Sequence, residues 1–239
     1  MKRSNRKAIK DYLVTISIAV GMAVFIRSFV IEAYRVPNTA MKPTLISGDT
    51  LFVAKWPFSF AKSYQPKRGD IVVFTMPVEQ EGTSLDFIKR IVGLPGDQIE
   101  IKDGRVYLNG LKLSIEPQSP NQPQTETRPE TQPETRIEDC PSEAFSDGTK
   151  YNVCLGTLSF QTSSVEKVPA DSVFVVGDFR ADPPNSRADK KSRRGWGIVP
   201  ISSIQGKALW IWLSIEYPKS DKALPIPSLR WDRMFRRIQ

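Results

Sequence analysis

Lys89 stands inside an apolar run, Phe87-Ile88-Lys89-Arg90-Ile91-Val92. A lysine that takes a proton at neutral pH must itself be uncharged, so its pKa has to fall by several units from about 10.4, as burial among apolar side chains can achieve. On strand alternation Lys89 shares a face with Phe87 and Ile91, and Arg90 shares one with Ile88 and Val92. The pattern leaves open which base is buried. Taken alone, it favours a solvated lysine on an edge strand, because lysine is rarely buried without a partner. Histidine is wholly absent, which excludes a Ser-His-Asp triad, a Cys-His pair and any histidine-containing zinc protease motif. A hydrolase built on this chain must use another base.

The elements that would position such a base begin with an anchor. Tyr12 to Ile31 is a 20-residue stretch interrupted by Arg27, long enough as a helix to cross about 30 Å of hydrocarbon with the arginine snorkelling near one end. Formal net charge is +8, but Lys2, Arg3, Arg6, Lys7 and Lys10 supply five positive charges before the first acidic residue, leaving +3 for residues 11–239. Basicity concentrated in a tail points to membrane topology: the tail stays in the cytoplasm and everything after Glu32 lies across the membrane, in the periplasm or an equivalent lumen. A cleavable signal peptide is the rival reading, but Ile31 before Ala33 and Val30 before Glu32 make poor small-x-small pairs. No aromatic-basic interleaving or zinc spacing supports nucleic-acid binding.

Past the anchor, short apolar runs separated by turn signals predict an all-β protein. Thr50–Ala54, Ile71–Phe74, Phe87–Val92, Gln98–Lys102, Arg105–Leu108, Thr157–Thr162, Val173–Val176 and Lys207–Ile215 read as strands, with turns at Asp103-Gly104 and Asn109-Gly110. Glu116 to Asp139, with Pro117, Pro120, Pro123, Pro129 and Pro133 among Gln, Thr and Glu, reads as a solvated insertion that cannot fold alone. Cys140 and Cys154 are the only cysteines. On that side of the membrane they fit a disulfide or two small buried hydrophobes equally well, and they are too few for a cysteine-only metal site.

Four segments in chain order resemble the boxes of the type I signal peptidases. Val36-Pro37-Asn38-Thr39-Ala40-Met41-Lys42-Pro43-Thr44-Leu45 resembles the nucleophile box, Pro-Ser-x-Ser-Met-x-Pro-Thr-Leu; Arg68-Gly69-Asp70-Ile71-Val72-Val73-Phe74 resembles the second. Asp86-Phe87-Ile88-Lys89-Arg90-Ile91-Val92-Gly93-Leu94-Pro95-Gly96-Asp97 resembles the box with the general-base lysine. Val176-Gly177-Asp178-Phe179-Arg180 through Trp196-Gly197 resembles the last.

The resemblance implies a mainly β fold: a cytoplasmic tail (1–11), a transmembrane anchor (12–31), a core β domain (32–102 and 167–239) and an inserted smaller β region (103–166) holding the Pro-rich segment 116–139. It implies cleavage of signal peptides from exported preproteins by a Ser/Lys dyad, with no cofactor and no metal, beside a lipid bilayer and with no nucleic acid. Lys89 takes the general-base role, and the nucleophile position falls on Ala40, whose methyl group cannot attack a peptide bond. The oxyanion donors fall on the Ala40 backbone N–H and on Asn38, whose side-chain amide can donate. Thr39 is the adjacent hydroxyl, but a shift of one residue reverses side-chain direction. Ser186 corresponds to the serine supporting the lysine and Asp189 to a structural aspartate, with Asp178 and Arg180 in the same box. Tyr34, Val36, Pro37, Met41, Leu45, Val73, Phe87 and Ile88 align with the substrate pockets, although their pattern alone reads as core.

The last box departs most from the family. Its longer loop carries Arg187, Lys190, Lys191, Arg193 and Arg194, a solvated stretch or a contact for anionic headgroups. Three accounts fit Ala40: a serine engineered to alanine in an active peptidase, a naturally degenerate paralogue, or activity through a rearranged site. Asn38, Phe179 and the swollen loop are also off pattern, which favours the degenerate paralogue. The expectation is a catalytically impaired or inactive protein, a pseudoenzyme that holds signal peptides or partners an active paralogue or the export machinery; the competing class is a specialised peptidase working only in a complex.

Overall fold

The computed structural model describes residues 2–55, 65–78, 83–102, 104–116, 140–155, 165–180, 196–217 and 227–238. The expected strand Thr157–Thr162, all of the Pro-rich segment 116–139 but Glu116, and the basic loop with Ser186 and Asp189 lie outside the described residues.

Helix α1 runs over Lys2–Phe29. Its apolar side chains Ile9, Leu13, Ile18, Met22 and Phe25 are all exposed, and Ile9–Ser28, 20 residues, is long and apolar enough to cross a membrane. The helix ends two residues short of the expected span because Ile31–Arg35 forms strand β1. These five residues pair with Thr50–Ala54, and Glu32 meets Lys55 at 2.8 Å. The pairing satisfies backbone groups that a continuing helix would have satisfied internally.

In chain order, β2 is Asp49–Ala54, β3 Ile71–Val78, β4 Thr83–Gly93, β5 Gln98–Lys102, β6 Arg105–Leu108, β7 Leu111–Lys112, β8 Ser114–Glu116 and β9 Ser142–Ala144. Beyond them come β10 Lys150–Asn152, β11 Cys154–Leu155, β12 Glu166–Lys167, β13 Ser172–Val176, β14 Phe179–Arg180, β15 Trp196–Pro200, β16 Ile204–Glu216, β17 Ser228–Leu229 and β18 Arg236–Arg237. The principal sheet has the order β1-β2-β16-β3-β4-β13-β15, with β17 and β18 also on β16. A smaller sheet, β12-β5-β6-β7, and the hairpin-like set β10-β9-β8 pack beside it. Asn109 and Gly110 both take positive φ, 52° and 80°, the type I′ geometry that closes β6 onto β7.

Alternation along β3 divides the core. Ile71 and Val73 join Val36, Met41, Leu45, Leu51, Val53, Ala208 and Ile211 on one side, while Val72 and Phe74 join Ile91, Val173, Val175, Val199 and Ile204 on the other. Both faces of Ile71–Phe74 in β3 and of Lys89–Gly93 in β4 are covered, so these central stretches read as near-continuous apolar runs. A third cluster links the smaller sheet, through Ile99, Ile101 and Val106, to Phe174 and Val176 of β13.

Candidate active site

Strand β4 lies between β3 and β13, with Val72 opposite Lys89, and Ile71 and Val176 opposite Arg90. Successive side chains leave opposite faces, and since both faces are covered, both bases are buried: Lys89 is 7% exposed and Arg90 0%. Alternation could not choose between them because neither faces solvent.

The two are used differently. Arg90 donates through Nε and Nη2 to the Asp178 carboxylate at 2.8 and 2.7 Å and through Nη1 to the Gly69 carbonyl at 2.7 Å. Burial acts to lower its pKa, but the Asp178 charge and hydrogen bonds outweigh it and the net shift is upward. Its guanidinium also lies 4.3 Å from the Tyr151 ring centroid, a cation–π contact. Lys89 points elsewhere, towards the Gly177 backbone. A Cβ at Gly177 would meet the Ala40 carbonyl oxygen at 2.6 Å and Lys89 Nζ at 3.3 Å. Glycine is therefore needed there for the candidate base and the candidate nucleophile position to lie against one point.

Ala40 sits in the turn joining β1 to β2. Its carbonyl accepts from the Phe179 N–H at 3.2 Å, and Leu45 N–H donates to the Met41 carbonyl at 2.9 Å. Thr44 donates its hydroxyl to Asp178 Oδ2 at 2.5 Å. Asp178 thereby joins the Ala40–Leu45 turn to the strand that carries Lys89. The Ala40 N–H donates to Asn38 Oδ1 at 3.2 Å. Asn38 presents an acceptor at this point, where the sequence led us to expect a donor, and it occupies the very N–H counted as the first oxyanion donor.

Behind Asp178 lies a second buried set. Arg180 donates to both Glu143 oxygens at 3.0 and 2.7 Å, to the Tyr151 hydroxyl at 3.1 Å and to the Gly104 carbonyl at 2.9 Å; Tyr151 donates its own hydroxyl to Glu143. Burial is the largest influence on the Tyr151 phenol and pushes it up; Arg180 opposes and Glu143 adds to the rise. Cys140 and Cys154 form a disulfide with Cα atoms 4.4 Å apart, and Cys154 N–H donates to the Asp178 carbonyl at 2.9 Å. The residues 140–155 thus brace the last box from behind.

Of the residues aligned with substrate pockets, Tyr34, Val36, Met41, Leu45, Val73 and Ile88 gather in one cluster. Phe87 leaves the opposite face of β4 and stacks on Phe74, centroids 5.8 Å apart. Pro37 is exposed beside Val36. Sequence reasoning did not single out Glu143, Tyr151, Asp49 or Arg233, all buried; only their distant partners mark them, and no local pattern does.

A helix long and apolar enough to cross a membrane leads into a mostly β domain in which a buried lysine and the turn after the first strand meet at Gly177. The chain belongs to the type I signal peptidase family: the family model described as "Signal peptidase, peptidase S26" matches residues 9–213. Signal peptidase I of Bacillus licheniformis is 30% identical over 222 residues, covering 92% of this chain and 98% of the relative. The enzyme of Leptolyngbya laminosa is 34% identical over 199 residues, 82% of this chain and 75% of its own length. That of Pseudomonas aeruginosa is 30% identical, over 81% of this chain and 69% of its own. Cleavage of signal peptides is the activity of the family.

Proposed function

We propose that this protein binds signal peptides of exported preproteins at the outer face of a membrane and cleaves them slowly or not at all. The observation that carries the reading is Ala40, set against Gly177 together with Lys89: the candidate base lies beside a residue that offers no attacking oxygen. Asn38 supports it, since an oxyanion would have to displace its oxygen from the Ala40 N–H. Tyr34 and Ile88, partly exposed at the edge of the core cluster formed by Val36, Met41, Leu45 and Val73, are the members of this set that small apolar side chains of a signal peptide would meet first.

The basic tail before Ile9 supports a cytoplasmic N-terminus. Exposed Trp210, Trp231 and Phe235, on and beside the sheet that follows the anchor, suit a lipid interface, where aromatic rings are favoured. A protein that binds without cutting would serve beside an active paralogue or the export machinery.

A preprotein cleavage assay in detergent, with the native chain beside Ala40→Ser, tests the reading. No product from the native chain and product from Ala40→Ser that disappears in Ala40→Ser/Lys89→Ala is expected. Cleavage by the native chain as fast as by Ala40→Ser would overturn it. Crosslinking of a signal peptide that ignores Val36→Asp and Ile88→Asp would overturn the binding role.

A further inference from the structure

The turn carrying Ala40, Met41 and Leu45 is fastened on its far side by a segment beyond residue 213, where the family match ends. Arg233, 8% exposed, donates through Nη2 to the Thr44 carbonyl at 3.1 Å and to Asp49 Oδ2 at 2.6 Å, and through Nε to Asp49 Oδ1 at 3.2 Å. Asp49 is fully buried; its Oδ2 also accepts the Ile46 N–H at 2.9 Å and its Oδ1 the Ser214 hydroxyl at 2.6 Å. Arg230 repeats the device one turn earlier, donating to the Ser47 carbonyl at 2.8 Å, the Ile215 carbonyl at 3.0 Å and Ser214 Oγ at 2.9 Å. Gly48, at φ 94°, fits beneath it: a Cβ there would meet the Ile215 carbonyl oxygen at 2.0 Å and Arg230 Nη2 at 2.9 Å.

Thr44 is therefore held from two sides. Its hydroxyl reaches Asp178 beside the candidate base, and its carbonyl receives Arg233 from the C-terminal segment. A turn of this length has few backbone bonds of its own, and unsatisfied carbonyls would leave it free to reorient. The planar guanidinium, with its fixed fork of donors, can meet a carboxylate and a carbonyl together, which a lysine ammonium does less well.

We infer that Arg233 is a positioning residue for the peptide-binding turn: through Asp49 and the Thr44 carbonyl it sets where Ala40, Met41 and Leu45 stand relative to Lys89. The inference rests on the proposed reading of this turn as substrate-facing. It gives the segment 227–238, two short strands on β16 joined through a 3-10 turn at Trp231–Arg233, a role in the site.

The test uses the full chain in detergent micelles and compares Arg233→Met, Arg233→Lys and the double variant Arg233→Met/Asp49→Asn, which leaves no buried lone carboxylate should the single variant misfold. Hydrogen exchange of residues 40–48 should accelerate about tenfold or more in Arg233→Met and in the double variant, while residues 71–74 and 89–92 keep native rates. Arg233→Lys should recover the melting temperature but not the protection of residues 44–46. Binding of a synthetic signal peptide with alanine at the first and third positions before its cleavage point should weaken at least ~tenfold alongside the loss of protection. Unchanged exchange at 40–48 in a folded double variant overturns the inference. So does uniform acceleration across all strands, or recovery of protection and melting together in Arg233→Lys, since each reduces Arg233 to a general stabiliser. If the native chain fails to bind the peptide, the proposed function fails, and the exchange measurement still decides the positioning role.

Discussion

Removing Asp178 should be among the most damaging single changes outside the anchor. Both side chains of the Arg90–Asp178 pair are 0% exposed and meet at 2.7 Å. Asp178→Ala leaves a buried guanidinium without its counter-charge, with neutral acceptors such as the Gly69 carbonyl and the Thr44 hydroxyl in its place. Breaking such a pair from one side costs about 3–5 kcal/mol, a large part of the roughly 5–15 kcal/mol that holds a domain folded. Arg90→Met should cost a similar amount, because it strands the carboxylate and also removes the cation–π contact with Tyr151. The double variant removes both charges, leaving the Gly69 carbonyl without Arg90 and the Thr44 hydroxyl without Asp178, about 1–3 kcal/mol, and some lost packing. The summed single effects should therefore exceed the double by at least about 3 kcal/mol. Urea unfolding of the full chain in mild detergent, followed by tryptophan fluorescence, reads this as midpoints lowered by about 1–2 M in each single variant. Single-variant losses under about 1 kcal/mol would show that the pair is solvated, and strict additivity would show that the two charges do not depend on each other.

Three further expectations follow from particular contacts. Gly48 and Gly96 both have positive φ, but only a Cβ at Gly48 meets other atoms; Gly96→Ala should cost about 1 kcal/mol and Gly48→Ala several-fold more by thermal melting, and equal losses would refute the close approach. Tyr34 and Tyr151 are both raised, Tyr34 by burial first and then by Glu32 and Asp86. A raised phenol holds its proton more tightly in the fold, so its stabilising contribution is whole below about pH 10 and is lost as pH climbs towards the raised value. Absorbance titration should find at least these two phenols protonated at about pH 11 until the chain unfolds. The disulfide spans a separation of 14 residues, so replacing both cysteines by alanine should cost about 3 kcal/mol on the loop-entropy estimate; an unchanged melting temperature would mean that the buried Arg180–Glu143–Tyr151 set alone holds residues 140–155 in place.

The anchor was legible because twenty consecutive residues carry its signal, and so was the β class, because alternation and turn residues are local. Gln98–Lys102 and Arg105–Leu108 match β5 and β6 end for end. Strand β1 was hidden in the tail of the apolar run: Ile31 reads equally as helix or strand until Ala54 lies opposite it. The short strands β8 to β12 have too few residues to show a period of two.

The sequence by itself determined the family and the methyl group at position 40, since each is a matter of residue type in a contiguous motif; the burial of Lys89 came only with the strands that pack on both sides of it. The tertiary structure decided how those residues are used. That Arg90 is claimed by Asp178 while Lys89 turns to Gly177, that Asn38 offers its oxygen to Ala40, and that Arg233 secures Thr44 from a strand-poor segment all depend on contacts between residues far apart in the chain or on the orientation of one side chain. A motif specifies which groups are present; burial on both faces of the sheet fixes where they point and what each must bond to.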